Sequence, residues 1–241
     1  MSINILGHNY SINDTTYLDL SRSNLKEIPI DINKLVNLIV LDLDCNELIH
    51  IPIEINKLVN LRSLHLSYNK LKEIPKGVFD LVNLEELYLS ENELIDIPTE
   101  INKLVNLRIL NLDGNELIDI PIEINKLVNL ESLYLSENKL MVISDLSQLE
   151  SLRYLSVRSN ELNEFPDISN LENLCYLDVS GNKLMVLPEY LYELGDLCHL
   201  NLSNNCICDD ESMKIFENLQ VEEKIIDGQK QQPIMLPMVI I

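Results

Sequence analysis

Basic residues are scarce in this chain of 241 residues, where 18 lysines and arginines stand against 39 aspartates and glutamates for a formal net charge of −21. A protein that binds nucleic acid needs a basic surface to neutralise phosphates, so this composition excludes a general nucleic-acid partner. Anionic membrane surfaces are disfavoured for the same reason. The excess of acid favours solubility, and it would also steer a basic protein partner towards the chain.

Glycine is scarce too, and the six glycines are scattered, so no glycine-rich loop is available to hold a phosphate group. The sequence also lacks the HExxH and CxxC motifs of metal sites. The histidines share no spacing, and Cys206 with Cys208 does not supply the full ligand set of a zinc site. We therefore predict no enzyme activity, no catalytic residue, no cofactor and no metal.

We also expect no segment for export or membrane insertion. The first ten residues contain neither a basic region nor an apolar stretch of signal-peptide length. The longest apolar run, residues 233–241, is too short to span a bilayer. The five cysteines are an odd number, and we expect all of them to be free thiols in a reducing compartment. These features predict a cytoplasmic location, in the host cytoplasm if the chain is viral or bacterial.

What the sequence has in abundance is a repeat, clearest at residues 107–129, LRILNLDGNELIDIPIEINKLVN. The apolar positions of this copy are Leu107, Leu110, Leu112, Leu117, Ile120, Ile124 and Leu127. The same frame begins again at Leu38, Leu61, Leu84, Leu130, Leu152, Leu174 and Leu197, after a weaker first copy near Thr15. The unbroken period predicts one elongated domain.

This frame, LxxLxLxxNxL, resembles the leucine-rich repeat family over about residues 15–219. The IPxEINKLVNL that follows it is similar to the repeats of Ras-group scaffolds, the class that includes Scribble and Erbin. The filling, rich in Asn and Ile, resembles proteins of AT-rich genomes such as amoebae or giant viruses. The resemblance implies an α/β solenoid. This would be a horseshoe with a concave parallel β-sheet of about nine strands and short helical or 3₁₀ segments on the convex side.

The residues support the same architecture physically. Leu110 and Leu112 are two apart and face one side of a strand, whereas Ile124 and Leu127 suit a short helical turn that begins after Pro121. One repeat cannot bury its leucines alone, but a stack buries both faces of each inner repeat. An interior asparagine must satisfy its amide, so we interpret one column as structural: Asn46, Asn69, Asn92, Asn115, Asn138, Asn160, Asn182 and Asn205.

The period divides the chain into a cap, repeats and a tail. We predict an N-terminal cap at 1–14, an irregular C-terminal tail at 220–241, and repeats at 15–37, 38–60, 61–83, 84–106, 107–129, 130–151, 152–173, 174–196 and 197–219. The copies at Leu130 and Leu152 are one residue short, and we place the loss in the convex segment, where Ser144 replaces the proline of the first. A closing helix is predicted in DDESMKIFENL, beginning near Asp209 or Asp210.

The second strand position alternates in charge along successive copies. It is occupied in order by Arg62, Glu85, Arg108, Glu131 and Arg153. Because these positions are neighbours on adjacent strands, we predict a cross-strand ladder of alternating charge. Each exposed pair of this kind contributes at most about 1 kcal/mol.

The concave face is where a binding site is expected. Tyr134, Tyr154 and Tyr176 point outward on three consecutive strands, and Arg158 beside them is the only base in its column. Interface centres are enriched in Tyr and Arg, so we predict partner contacts at Tyr88, Tyr134, Tyr154, Arg158 and Tyr176. The alternative is that tyrosines are common on any β surface.

The sequence therefore predicts a non-enzymatic, monomeric module for protein–protein interaction that binds a protein partner through its concave face. The family resemblance implies a small GTPase or another signalling protein as partner. One alternative is a regulatory adaptor subunit of an enzyme such as a phosphatase or ubiquitin ligase. Another is a pathogen mimic of a host leucine-rich-repeat scaffold.

Overall fold

Twelve strands in two sheets form the frame of the chain in a computed structural model that describes residues 1–143 and 145–230. An antiparallel hairpin of β1 (Ser2–Ile5) and β2 (His8–Ser11) precedes the main sheet. The main sheet is parallel, and its strands lie in chain order. They are β3 (Tyr17–Asp19), β4 (Val40–Asp42), β5 (Ser63–His65), β6 (Glu86–Tyr88), β7 (Ile109–Asn111), β8 (Ser132–Tyr134), β9 (Tyr154–Ser156), β10 (Tyr176–Asp178), β11 (His199–Asn201) and β12 (Glu223–Ile225).

The convex connections contain short 3₁₀ helices, as predicted. These are Ile30–Lys34, Ile53–Lys57, Lys76–Asp80, Thr99–Lys103, Ile122–Lys126 and Glu189–Glu193. A proline lies directly before each of them, where its fixed φ suits the start of a helical turn. The two short copies contain no 3₁₀ helix among the described residues, and their strands pair in unbroken register. Ser144 lies outside the described residues.

The leucine frame forms one continuous core between the sheet and the convex segments. In the copy at residues 107–129, every apolar position of the frame is fully buried. Neighbouring coils, each being one repeat, cover both sides of these side chains, which a single coil could not do. The solenoid predicted from the leucine spacing is therefore confirmed.

The asparagine column fastens each coil to the one before it. The Nδ2 of Asn115 donates to the carbonyls of Leu112 and Leu89, both at 3.0 Å, and to that of Asp113 at 3.2 Å. Its Oδ1 accepts a hydrogen bond from the backbone N–H of Leu94 at 3.0 Å. Leu89 and Leu94 belong to the preceding coil, so one buried amide spans two coils and leaves none of its own polar atoms without a partner.

A second set of asparagines also links neighbouring coils, and the sequence reasoning missed it. These residues are exposed, and each Nδ2 donates at 2.8–2.9 Å to a carbonyl of the preceding coil or, for Asn37, of the N-terminal cap. They are Asn37, Asn60, Asn83, Asn106, Asn129 and Asn173. The signal was the repeated VN dipeptide that precedes the first leucine of most copies.

The main sheet has ten strands where about nine were predicted, because β12 adds one strand within the segment predicted to be an irregular tail from residue 220. Gln229 takes the place of the asparagine: its Nε2 donates to the carbonyls of Leu202 and Ile226, and its Oε1 accepts from the N–H of Ile207. Lys224 stands opposite Leu200, where a leucine was required by the frame. Residues 231–241 of the predicted tail lie outside the described residues.

Both ends of the main sheet carry additional structure. At the N-terminus, Leu6 and Gly7 both have positive φ, the backbone of a tight hairpin turn, and Ile3 and Ile5 of β1 are buried. The predicted closing helix is α1 (Asp210–Asn218), which begins after Asp209, whose side chain accepts from the N–H of Ser212 at 2.8 Å. At its other end the Nζ of Lys224 donates to the free carbonyls of α1 and its C-cap residue, which explains a lysine in a leucine position.

We predict that Asn115→Ala lowers the free energy of unfolding by about 3 kcal/mol, because it leaves buried backbone groups of two coils without partners. Asn129→Ala in the same coil is the matched control, since it removes one exposed hydrogen bond and costs less than about 1 kcal/mol. Urea denaturation of both variants measures the difference. Equal losses would contradict the structural role of the column.

Candidate functional site

The outward side of the main sheet carries a row of stacked rings. The aromatic row consists of Tyr134, Tyr154, Tyr176 and His199, all half-buried. Tyr154 and Tyr176 stack with ring centroids 4.2 Å apart and 5° between planes, and Tyr176 and His199 stack at 4.3 Å and 1°. Tyr134 closes the row against Tyr154 at 4.6 Å with a 34° tilt. The row therefore presents a continuous aromatic surface across β8 to β11.

Strand register produces this stacking. Tyr176 lies directly opposite Tyr154 on one side and His199 on the other, so three rings stand one strand spacing apart. Aromatic pairs at such positions stabilise a sheet and also hold each other in one orientation. Tyr134 lies diagonally across from Tyr154, whose direct neighbour on β8 is Ser132. The rings form a preorganised surface because the backbone fixes their spacing.

The imidazole of His199 and the hydroxyl of Tyr154 both have hydrogen-bond partners. The Nδ1 of His199 lies 3.0 Å from Oε2 of Glu223, which comes from the unpredicted strand β12. Burial raises the pKa of the Tyr154 hydroxyl far above its ordinary value, and a hydrogen bond with Tyr176 acts in the same direction. The Tyr154 hydroxyl therefore resists ionisation more strongly than that of an ordinary tyrosine.

The structure brings together three of the predicted contact residues, Tyr134, Tyr154 and Tyr176, in the aromatic row. Tyr88 stacks instead on His65, with centroids 4.6 Å apart, because Asn111 lies between Tyr88 and Tyr134 in the register. Arg158 is exposed, and it makes no ion pair or cation–π contact within the described part of the chain. Its guanidinium is thus open to an external carboxylate.

His199 is the residue of the row that sequence reasoning missed. It follows Tyr154 and Tyr176 in the same outward column, which was the available signal. The column alone did not show that an imidazole would stack on a tyrosine, because that depends on the strand register and on Glu223.

Acidic side chains surround the rest of this face. Burial raises the pKa of Asp113 to about 6, Glu137 and Glu91 act in the same direction, and hydrogen bonds from Ser136 oppose the shift. Burial also raises the pKa of Asp44, the N–H of Ser67 lowers it, and nearby Asp42 raises it further. The sheet surface therefore concentrates negative charge. Within the described residues, no lysine or arginine forms an ion pair with Asp42, Asp44 or Asp113.

The predicted charge ladder forms as separate pairs. Arg62 pairs with Glu85, and Arg108 binds Glu131 through two hydrogen bonds of 3.0 Å. Arg153 makes no ion pair within the described residues, so the ladder ends there.

The expectation of five free thiols is wrong for two of them. Cys175 and Cys198 continue the column of the charge ladder on adjacent strands, with Cα atoms 5.0 Å apart, and they form a disulfide. This separation lies within the span that a disulfide bridges. The sequence reasoning stopped the column at Arg153 and therefore did not pair its next two members. Cys45, Cys206 and Cys208 are free.

Comparison with known protein families finds one kind of match. Two models of the leucine rich repeat match the chain, one at residues 14–71 and 59–117 and the other at 129–149 and 173–194. Together these matches cover more than half of the chain. No curated protein matches the sequence.

No helix in residues 1–143 and 145–230 is both long enough and apolar enough to cross a bilayer.

Solved structures of plant receptors are similar in fold. The plant peptide hormone receptor RGFR1 in complex with RGF2 has a TM-score of 0.71 and 28% identity over 83% of this chain and 34% of that chain. The leucine-rich repeat ectodomain of GASSHO1/SCHENGEN3 from Arabidopsis thaliana, in complex with CASPARIAN STRIP INTEGRITY FACTOR 2, has a TM-score of 0.69 and 32% identity over 85% of this chain and 26% of that chain. The PEPR1–AtPEP1 structure has a TM-score of 0.69 and 27% identity, over 84% and 33% of the two chains. This chain spans about a third or less of each.

We predict that three of the five cysteines react with a thiol reagent in denaturant without reductant, and all five after reduction. Cys175→Ser should release Cys198 and restore a fourth cysteine thiol without reductant. Five reactive thiols in the unreduced wild-type protein would contradict the disulfide.

We predict that Asp113→Asn gains stability relative to the wild type as pH rises. The pKa of Asp113 in the folded state, about 6, lies above the ordinary aspartate value of 3.8, so the folded state favours the protonated form. The stabilisation from that proton is complete below the unfolded pKa and is lost as pH rises through about 6. Urea denaturation at pH 4 and pH 8 measures it, with Asp96→Asn as the control for net charge. A constant difference across this range would contradict the shift.

Proposed function

Because this chain belongs to the leucine-rich repeat family, we propose that it is an interaction module that binds a protein or peptide partner on its concave face. The observation that carries the proposal is the aromatic row, which offers stacked, half-buried rings held at fixed spacing. Tyr and Arg are enriched among the residues that dominate the binding energy of interfaces. Tyr in particular buries a large area at low entropic cost. Because the rings are already ordered, binding would not have to fix their side-chain conformations.

The charge of the chain supports a basic partner. The formal net charge is −21, and Asp42, Asp44 and Asp113 face the same side of the sheet without a paired lysine or arginine among the described residues. Lys and Arg side chains are attracted both by this field and by the faces of aromatic rings. Arg158 adds one cation, to which a carboxylate of the partner would bind. The proposed partner segment is therefore basic, with an acidic group near Arg158.

The similar structures support a peptide or protein as ligand. Two of them are receptors in complex with RGF2 and with CASPARIAN STRIP INTEGRITY FACTOR 2. A small GTPase or another signalling protein, which the resemblance to Ras-group scaffolds implies, is an alternative partner within the same proposal.

The compartment in which the chain acts is also part of the proposal. The cytoplasmic location stays a prediction. The disulfide between Cys175 and Cys198 supports an oxidising compartment instead, because such bonds are rarely maintained against cytosolic reductants.

The test is affinity capture with the wild-type chain followed by measurement of the affinity of the captured partner. Tyr154→Ala with Tyr176→Ala removes the centre of the aromatic row, and we expect it to weaken binding at least about tenfold, the effect of losing one interface hot spot. Arg158→Ala should weaken it less, because it removes an exposed charge at the rim.

Tyr192→Ala is the matched control, because Tyr192 is an exposed tyrosine of the convex 3₁₀ helix Glu189–Glu193. Circular dichroism establishes that each variant remains folded. If the double variant retains every partner at wild-type affinity, the concave face is not the binding site.

A further inference from the structure

Three side chains of the concave face, apart from the aromatic row, form a group of metal-ligand type. Asp42, Asp44 and His65 each offer one ligand atom, and these atoms all lie within 4.8 Å of one another. We propose that they bind a divalent first-row transition metal ion, with Zn²⁺ as the representative. None of the three belongs to the aromatic row, although Asp42 and Asp44 also contribute to the acidic field proposed to attract a basic partner.

Sheet geometry brings the three residues together. Asp42 and His65 are register partners on β4 and β5, so their side chains emerge side by side from one face. Asp44 follows Asp42 by two positions and projects to the same side. Paired strands therefore place two of the three residues. Asp44 follows the end of β4, where hydrogen bonds from the N–H groups of Leu43 and Cys45 to the next coil hold the backbone on either side of it.

Hydrogen bonds orient the imidazole for metal binding. The Nε2 of His65 lies 2.9 Å from Oγ of Ser63, and that hydroxyl donates to Oε2 of Glu86 at 2.8 Å. Since the hydroxyl proton is committed to Glu86, Ser63 accepts from His65, which places the imidazole proton on Nε2. The lone pair of Nδ1 then faces Asp44. A ligating histidine whose other nitrogen donates to a polar group is the usual arrangement at metal sites.

The gap between His65 and Asp44 suits an ion better than a direct bond. Nδ1 of His65 and Oδ2 of Asp44 are 3.9 Å apart, which is too far for a hydrogen bond. Metal–nitrogen and metal–oxygen bonds of about 2.0–2.2 Å together span up to about 4.2 Å, so one ion fits between the two atoms. The ligand atom of Asp42 lies within 4.8 Å of the other two, so a small inward adjustment of its side chain would let all three bind one ion at bond lengths of about 2.0–2.2 Å.

Backbone hydrogen bonds orient the two carboxylates. Oδ1 of Asp42 accepts from the N–H of Asp44 at 2.9 Å, and Oδ1 of Asp44 accepts from the N–H of Ser67 at 2.6 Å. Each bond engages one oxygen of its carboxylate and leaves the second oxygen available to an ion. No lysine or arginine of the described residues forms an ion pair with either group. A divalent cation would offset the repulsion between them.

The ligand set selects the class of metal. Imidazole nitrogen with carboxylate oxygens suits zinc and other first-row divalent ions, whereas Ca²⁺ and Mg²⁺ prefer oxygen ligands alone. Three protein ligands leave a coordination position open, as in zinc sites that bind an additional group. That position faces out of the sheet.

Titration calorimetry with ZnCl₂ tests the proposal. The parent is the chain with Cys45, Cys206 and Cys208 replaced by serine, so that free thiols do not compete for the metal. We expect saturable binding of one Zn²⁺ per chain, weakened at least about tenfold by His65→Gln and by Asp44→Asn, since each removes one ligand. His50→Gln, at an exposed histidine outside the group, should leave binding unchanged.

Three results would overturn the proposal. They are no saturable Zn²⁺ binding by the parent, unchanged binding by both ligand variants, or binding of Ca²⁺ as tight as that of Zn²⁺. Circular dichroism checks the fold of each variant. If His65→Gln is unfolded, Asp42→Asn takes its place with the same expected loss.

Discussion

The buried amide that spans two coils is the interaction on which the rest of the structure depends. Burial of leucine is non-directional, and it would tolerate a coil that is rotated or displaced along the stack. The amide of Asn115 instead requires carbonyls and an N–H of its own and the preceding coil at defined positions. Repeated in every inner coil, this requirement fixes the strands in one-to-one register. This register aligns the outward side chains into columns. The aromatic row and the group of Asp42, Asp44 and His65 both depend on that alignment.

Leucine spacing and asparagine position were sufficient to predict most of the fold. They placed the strands from β3 to β11, the convex turns after proline, and helix α1 after Asp209. They did not reveal β12, because the coil that contains it follows the same backbone path but lacks the leucine and asparagine residues that define the repeat. Gln229 reaches the same kinds of backbone group as an asparagine, and Lys224 caps α1 where a leucine is expected. A repeat pattern defined by residue type cannot detect a coil in which different residues make the same backbone hydrogen bonds.

The site was predictable to the level of columns but not of contacts. Alternation along each strand showed that Tyr134, Tyr154 and Tyr176 point outward. Which rings touch depends on the register between strands: Asn111 separates Tyr88 from Tyr134, whereas His199 joins the row. The disulfide illustrates the same limit, since Cys175 and Cys198 occupy the column of the charge ladder and differ from it only in residue type.

The constant spacing of the strands fixes the distance between any two sites on the sheet. His65 on β5 and Tyr176 on β10 are separated by five strand steps, or about 24 Å at a spacing of about 4.8 Å. An extended peptide advances about 3.4 Å per residue, so a segment of about seven residues would reach from one to the other. A ligand that touches both places at once is therefore selected by its length as well as by its charge.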